Sequence, residues 1–331
     1  MTRRESPAKK RPLPAAAPLD APALVVIVGP TASGKTALGI ELARELGGEV
    51  VSADSQQVYR HLEIGTAKPT ARERAAVPHH LVDFAEPTES LSAGSYARLA
   101  DEAIAAIGAR GRLPIVVGGT GLWIRALLLG IAEIPPADAA LRARLEALAE
   151  SKGRAALHDR LAAIDPESAA EIPAANAVRV IRALEIHELT GEKPSVVRAR
   201  HGFAKLRYRA RVFGISPPRE ALYRRIERRA RAMFESGLVE EVRGLVACGL
   251  RDAPALKALG YPQALEVIDG RASVEQAIAA TAQASRHYAK RQLTWFRADP
   301  LVEWLGWPPE ALALAARLRS ECGQVDTGAG E

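Results

Sequence analysis

Apolar runs of strand length alternate with helical spacings over the first third of the chain. Leu24-Val25-Val26-Ile27-Val28 has no polar side chain, and such a run predicts a strand covered on both faces. Ala37-Leu38-Gly39-Ile40-Glu41-Leu42-Ala43 follows with helical periodicity, and Gly47-Gly48 ends it. Glu49-Val50-Val51-Ser52-Ala53 predicts a second strand, expected beside the first and ending at Asp54. His80-Leu81-Val82-Asp83 predicts a short third. Residues 95–109 read as helix, and Leu113-Pro114-Ile115-Val116-Val117 as a buried strand running into Gly118-Gly119-Thr120-Gly121. The rhythm predicts a parallel sheet whose functional loops lie at the carboxyl ends of its strands.

The pattern changes after Pro135-Pro136. From 138 to 206 the spacing is helical, broken at Gly153, Asp165-Pro166, Pro173 and Gly191. Strand character returns at Arg211-Val212-Phe213-Gly214-Ile215, an arginine-rich helix opens after Pro217-Pro218, and a last short strand is predicted near 301–304. The expected organisation is an α/β core over 23–137 and 207–310, a helical insertion domain over 138–206, and a helix end with a disordered tail over 311–331. Residues 1–22, rich in proline and carrying Arg3, Arg4, Lys9, Lys10 and Arg11, read as a disordered basic tail. With 48% hydrophobic residues among 331, the chain can bury sizeable cores, which excludes a disordered protein. No apolar stretch approaches the roughly 20 residues that cross a bilayer. The two cysteines, Cys248 and Cys322, have no metal-ligand spacing. They fit a reducing, cytoplasmic setting, and a monomer is the default expectation. A formal charge of +6 favours a polyanionic partner.

Between the first strand and the first helix stands Gly29-Pro30-Thr31-Ala32-Ser33-Gly34-Lys35-Thr36, a P-loop. A glycine-rich turn from strand into helix aims several backbone N–H groups at one point, which suits a phosphate chain. Lys35 would neutralise phosphate oxygens and the Thr36 hydroxyl would hold Mg²⁺. The fold class expected is therefore α/β, a P-loop NTPase-like parallel sheet flanked by helices and interrupted by the helical insertion. ATP-hydrolysing P-loop proteins usually end another strand in a Mg²⁺-holding carboxylate. Gly118-Gly119-Thr120-Gly121 supplies none, although Asp83 offers a substitute. Asp54-Ser55-Gln56-Gln57-Val58-Tyr59 would present a carboxylate and two amides to an acceptor, the plainer role of Asp54 being an N-cap or Asx-turn.

These stretches resemble the tRNA dimethylallyltransferases, together with Gly65-Thr66-Ala67-Lys68-Pro69, Pro78-His79-His80-Leu81-Val82-Asp83, Gly118-Gly119-Thr120-Gly121-Leu122, Leu222-Tyr223-Arg224-Arg225-Ile226-Glu227, Gly260-Tyr261 and Lys290-Arg291-Gln292-Leu293-Thr294-Trp295-Phe296-Arg297. The resemblance runs from about 24 to 307. It implies transfer of a dimethylallyl group from dimethylallyl diphosphate to the N6 amine of the adenosine 3′ of a tRNA anticodon. The partners implied are dimethylallyl diphosphate and the anticodon stem-loop, with Mg²⁺ as cofactor. It makes Asp54 the proton acceptor and places Thr120 and Arg225 beside diphosphate and acceptor base. Residues 29–36 would bind the diphosphate, and Asp54, Ser55, Gln56, Gln57 and Thr120 the target nucleotide. Further tRNA contacts implied are Arg142, then Val178, Arg179, Val180, Ile181 and Arg182, then Lys257, Ala258, Leu259, Gly260, Tyr261 and Pro262. The chain departs from the family pattern at Pro262, where a basic residue is usual, and at Trp123, where a Tyr is usual and the tunnel lining is expected to change.

Helical geometry refines the basic residues. At about 100° per residue, Leu222, Ile226, Ala230 and Met233 share a stripe with Arg225 at its edge. Arg224, Arg228 and Arg231 are expected to point outward, to solvent or RNA. Arg179 and Arg182 share a face, for RNA or for pairing with Glu185 or Asp165. Lys290, Arg291 and Arg297 would meet phosphates, with Trp295 and Phe296 as anchors or core. Three other functions fit parts of the pattern: a small-molecule kinase, an isopentenyltransferase for free adenosine nucleotides, and a nucleotide-regulated RNA-binding protein.

Overall fold

The computed structural model describes residues 11–131, 135, 138–201 and 205–323. The first apolar run is β1 (Ala23–Val28), followed by α1 (Lys35–Leu46) and β2 (Glu49–Ala53). Next come α2 (Ala71–Ala76), β3 (His79–His80), α3 (Ala93–Ala109), β4 (Pro114–Gly118) and α4 (Gly121–Leu129). After the insertion the core resumes with β5 (Arg209–Ile215) and α9 (Arg219–Glu235). It continues with α10 (Leu238–Ala247), α11 (Tyr261–Ile268), α12 (Val274–Arg297), β6 (Val302–Leu305) and α13 (Ala311–Gly323). Among the described residues no helix is long and apolar enough to cross a membrane.

The strands form one six-stranded sheet in the order β3-β2-β4-β1-β5-β6, every pairing parallel. The expected neighbour of β1 was β2; β4 lies between them instead. Both strands are buried along their whole length, and β2 pairs with β3 on its far side. Close approach is possible because Gly118 lacks a side chain; a Cβ there would stand 2.1 Å from the Ala53 carbonyl oxygen. Glu49 is buried at the start of β2, answered by Arg110, Arg112 and His80.

Alternate residues of the central strands feed two cores, as a sheet covered on both faces requires. Val26, Val28, Val51 and Val116 pack with Tyr96, Trp123, Ile226 and Phe296 on one side. On the other, Val25, Ile27, Ile115 and Phe213 pack with Leu38, Leu42, Leu314 and Leu318. The last two leucines lie on α13, so the core extends beyond the expected limit at 310. Trp123 stacks on Tyr96 at 4.4 Å between ring centroids and is core, not tunnel lining. The tail expected over 1–22 is likewise held from residue 11. Arg11 N–H donates to the Ala298 carbonyl at 3.0 Å, its guanidinium lies 4.2 Å from the Trp295 ring, and Ala15 pairs with Lys205. Residues 1–10 lie outside the described residues.

The insertion, expected over 138–206, is a compact unit of its own over Ile131–Ala204. It consists of α5 (Ala139–Ile164), α6 (Pro166–Glu171), α7 (Ala177–Thr190) and α8 (Pro194–His201). Leu141, Leu145, Leu157, Leu161, Val180 and Leu184 form its core. Asp165, 1% exposed, caps α6 and accepts from the backbone N–H and hydroxyl of both Ser168 and Ser195. With those oxygens occupied, Asp165 is not the partner of Arg179 or Arg182. Burial alone would raise its pKa, but the serine hydrogen bonds outweigh it and hold the carboxyl at about 2, below the ordinary 3.8. Because the folded value is depressed, the stabilisation is complete above about pH 4 and is lost as pH falls toward 2. Asp165→Asn should therefore cost about 2 kcal/mol at pH 7, with the gap to the wild type closing below pH 4. Urea unfolding followed by circular dichroism across that range checks it.

Candidate active site

The turn after β1 depends on two glycines. A Cβ on Gly29 would lie 2.9 Å from the Ile215 carbonyl oxygen, and Gly34 holds φ +99°, a left-handed conformation. Ala32 is also left-handed, at φ 62°, and Arg225 Nε donates to its carbonyl at 2.7 Å. Thr31 N–H donates to Gln292 Oε1 at 2.8 Å, while Gln292 Nε2 donates to the Gly119 carbonyl at 3.0 Å. Gln292 thus ties the loop to the end of β4. No side chain caps the start of α1, so its first N–H groups remain for an anion.

Ala32, Gly34, Lys35 and Thr36 on this loop face Arg225, Arg228 and Arg229 on α9 across a cleft of about 330 Å³. Arg228 was expected outward and instead lines the cleft. It sits about 60° around the helix from Arg225, and Arg229 only about 40°, so one face carries all three. The same spacing could have identified Arg229, which sequence reasoning missed. Arg224 and Arg231 do point away, to Glu220 and Glu275.

A second cleft, about 270 Å³, shares Lys35 and Arg229 with the first and is lined also by Thr31, Asp54, Tyr288 and Arg291. Asp54 Oδ1 accepts from Gln56 N–H at 3.0 Å, so the expected Asx-turn forms, and it holds the carboxylate at the cleft wall. Thr120 Oγ1 accepts from Ser55 N–H at 3.0 Å and so positions this segment. Ser55 and Gln56 line the cleft, whereas Gln57 Nε2 donates to the Ala67 carbonyl at 3.0 Å. Burial brings the Lys35 ammonium down to about 8, with Asp54 opposing the fall and Arg229 adding to it. Burial also lowers the Arg229 pKa, against the pull of Asp54. Tyr288, another residue missed in the sequence, is pushed upward by burial and by Asp54, with Arg291, Thr120 and Gln292 opposing the rise.

Other predicted residues are placed differently. Asp83 pairs with Lys68 at 2.5 Å and with Arg74 at 3.7 Å, so its carboxylate is occupied. Lys257, Ala258 and Leu259 line the second cleft. Tyr261 is buried, donating its hydroxyl to Glu241 Oε1 at 2.7 Å, and Pro262 is exposed at the start of α11. Phe296 is core. Within the insertion, Val180 and Ile181 are buried core and present no side chain to RNA. Arg142 and Arg182 both bind Glu185, which is 0% exposed, whereas Val178 (79%) and Arg179 are exposed. Among the described residues no three His, Cys, Asp or Glu side chains gather into a metal set. Thr36 amid four cations fits an ion that takes most of its oxygens from the ligand and water, as Mg²⁺ on a polyphosphate does.

Holding a polyphosphate on one side of Lys35 and an acceptor on the other is the work of a P-loop group transferase. A family profile described as IPP transferase matches residues 57–299, and one described as isopentenyl transferase matches 22–82. A tRNA dimethylallyltransferase of Myxococcus xanthus is 57% identical over 290 residues, covering 88% of this chain and 94% of that protein. The tRNA isopentenylpyrophosphate transferase structure from Bacillus halodurans superposes with TM-score 0.67 at 41% identity, covering 92% of this chain and 98% of that one. A eukaryotic dimethylallyltransferase structure, described as acting on tRNA, gives 0.74 at 26% identity over 86% and 74% of the two chains. The chain belongs to the tRNA dimethylallyltransferase family.

Gln292→Leu removes both bridging hydrogen bonds and leaves Thr31 N–H and the Gly119 carbonyl unpaired. Pyrophosphate binding should weaken about tenfold, from the usual cost of such loss, as measured by titration calorimetry.

Proposed function

We propose that the protein transfers the dimethylallyl group of dimethylallyl diphosphate to the N6 amine of the adenosine 3′ of the tRNA anticodon. The observation that carries this reading is the sharing of Lys35 and Arg229 by the two clefts, with the P-loop on one side and Asp54 on the other. The diphosphate sits on the loop N–H groups among Lys35, Arg225, Arg228 and Arg229, which stabilise the charge that gathers as it leaves. Mg²⁺, when bound, adds to that stabilisation and would be held by Thr36 with the diphosphate oxygens. The adenine enters the second cleft, unstacked from the anticodon loop. Asp54 takes the N6 proton as the C–N bond forms. Thr120 acts through the Ser55 segment. Exposed Arg179 and Val178 on the insertion, and Lys257 at the cleft, are the RNA contacts this reading retains, while Val180, Ile181 and Tyr261 serve as core.

Incubation of the protein with tRNA and dimethylallyl diphosphate should give the prenylated adenosine in nucleoside mass spectrometry, without ATP consumption. AMP should not compete as acceptor. Asp54→Ala should lower the single-turnover rate by roughly 10²–10⁴, the scale of a general base; an unchanged rate removes Asp54 from the chemistry. Arg179→Ala should reduce the slope of log affinity for tRNA against log salt by about one, as one lost phosphate contact does.

A further inference from the structure

Resting on that reaction, the chemistry poses an electrostatic problem that the second cleft has to solve. As the C1–O bond lengthens, its electron pair goes to the diphosphate and the allylic carbons become positive. The N6 lone pair then closes the C1–N bond and the N6 proton passes to Asp54. Yet the walls around the reacting carbons carry Lys35, Arg229, Lys257 and Arg291, all of which repel a nascent cation. Against them stand the Asp54 carboxylate and one aromatic ring among the described lining residues, that of Tyr288.

We propose that Tyr288 is a catalytic residue whose ring face stabilises the allylic cation and seats the dimethylallyl group. The ring already attracts positive charge: the Arg291 guanidinium carbon lies 5.6 Å from its centroid, within cation–π range. Gln292 stands one helical turn along α12 on the same face and also grips the P-loop at Thr31. The ring that would meet the allyl group and the clamp on the loop that would hold its diphosphate therefore lie on one face of one helix. Met233, which also lines the cleft, adds apolar surface for the methyl groups.

The test compares single-turnover rates, at saturating tRNA and donor, for the wild type, Tyr288→Phe, Tyr288→Leu, and replacement of Tyr288 by 3,4,5-trifluorophenylalanine. Tyr288→Phe keeps the ring and should retain the rate within about threefold. The trifluorinated ring has the same shape and a weakened π-face, and should be slower than Tyr288→Phe by about tenfold; Tyr288→Leu should lose at least as much. Pyrophosphate binding should remain at the wild-type level throughout, which a collapsed site would not allow. Equal rates for the phenylalanine and its trifluorinated analogue overturn the proposal. So does a rise in KM for tRNA with an unchanged single-turnover rate, which would make the ring a stacking partner for the base. If the wild type moves no prenyl group, the reaction itself is wrong and the role falls with it; if only the variant series is flat, the reaction stands and Tyr288 has no part in it.

Discussion

Two cations at the seam between the clefts govern this site, Lys35 buried and Arg229 half-buried. Burial lowers the pKa of each, and Asp54 is the anion that opposes the fall in both. Burying charge is costly unless it is answered, and one carboxylate does not neutralise two cations. The site is therefore preset for a further anion, and the first turn of α1 directs its free N–H groups to the same place. A phosphorylated ligand completes an electrostatic arrangement that the fold leaves unbalanced. Ligand binding and stability are consequently coupled, since whatever binds the folded state selectively also stabilises it.

The scaffold meets this demand by bringing distant segments to one point. The loop follows β1, the Asp54 carboxylate follows β2, the arginines come from α9, and the clamp comes from α12. All converge at the carboxyl end of the parallel sheet, where strand ends leave a crevice and backbone groups point outward. Inserting β4 between β1 and β2 separates loop from carboxylate by one strand position, and Thr31, Lys35 and Asp54 line the second cleft together. The insertion keeps its own core and its own buried polar centres at Asp165 and Glu185, so its helices are organised independently of the catalytic chemistry.

What the sequence disclosed follows from the range of each interaction. The P-loop and the Asx-turn at Asp54 are local, fixed by residues a few positions apart, and both were legible. The face shared by Arg225, Arg228 and Arg229 is set by helical rotation; Arg229 could have been found by the same geometry that located Arg225. Gln292 lies 261 positions from Thr31, and Tyr288 is comparably distant from Asp54, so no local spacing announces either. Neighbouring positions in a matched motif also differ in fate: Val178 and Arg179 are exposed while Val180 and Ile181 are core, because a helix alternates its faces within the motif. The order of β2 and β4 rests on pairing between segments distant in the chain, which no single strand reveals.

The seating of Arg11 on Trp295 has a practical side. Cutting the chain back to residue 22 would strip a guanidinium from an indole on α12, the helix that also carries Tyr288 and Gln292. A shortened variant made for crystallisation would bare a greasy ring on that helix and invite self-association. An affinity handle is better fused to the far end of the chain.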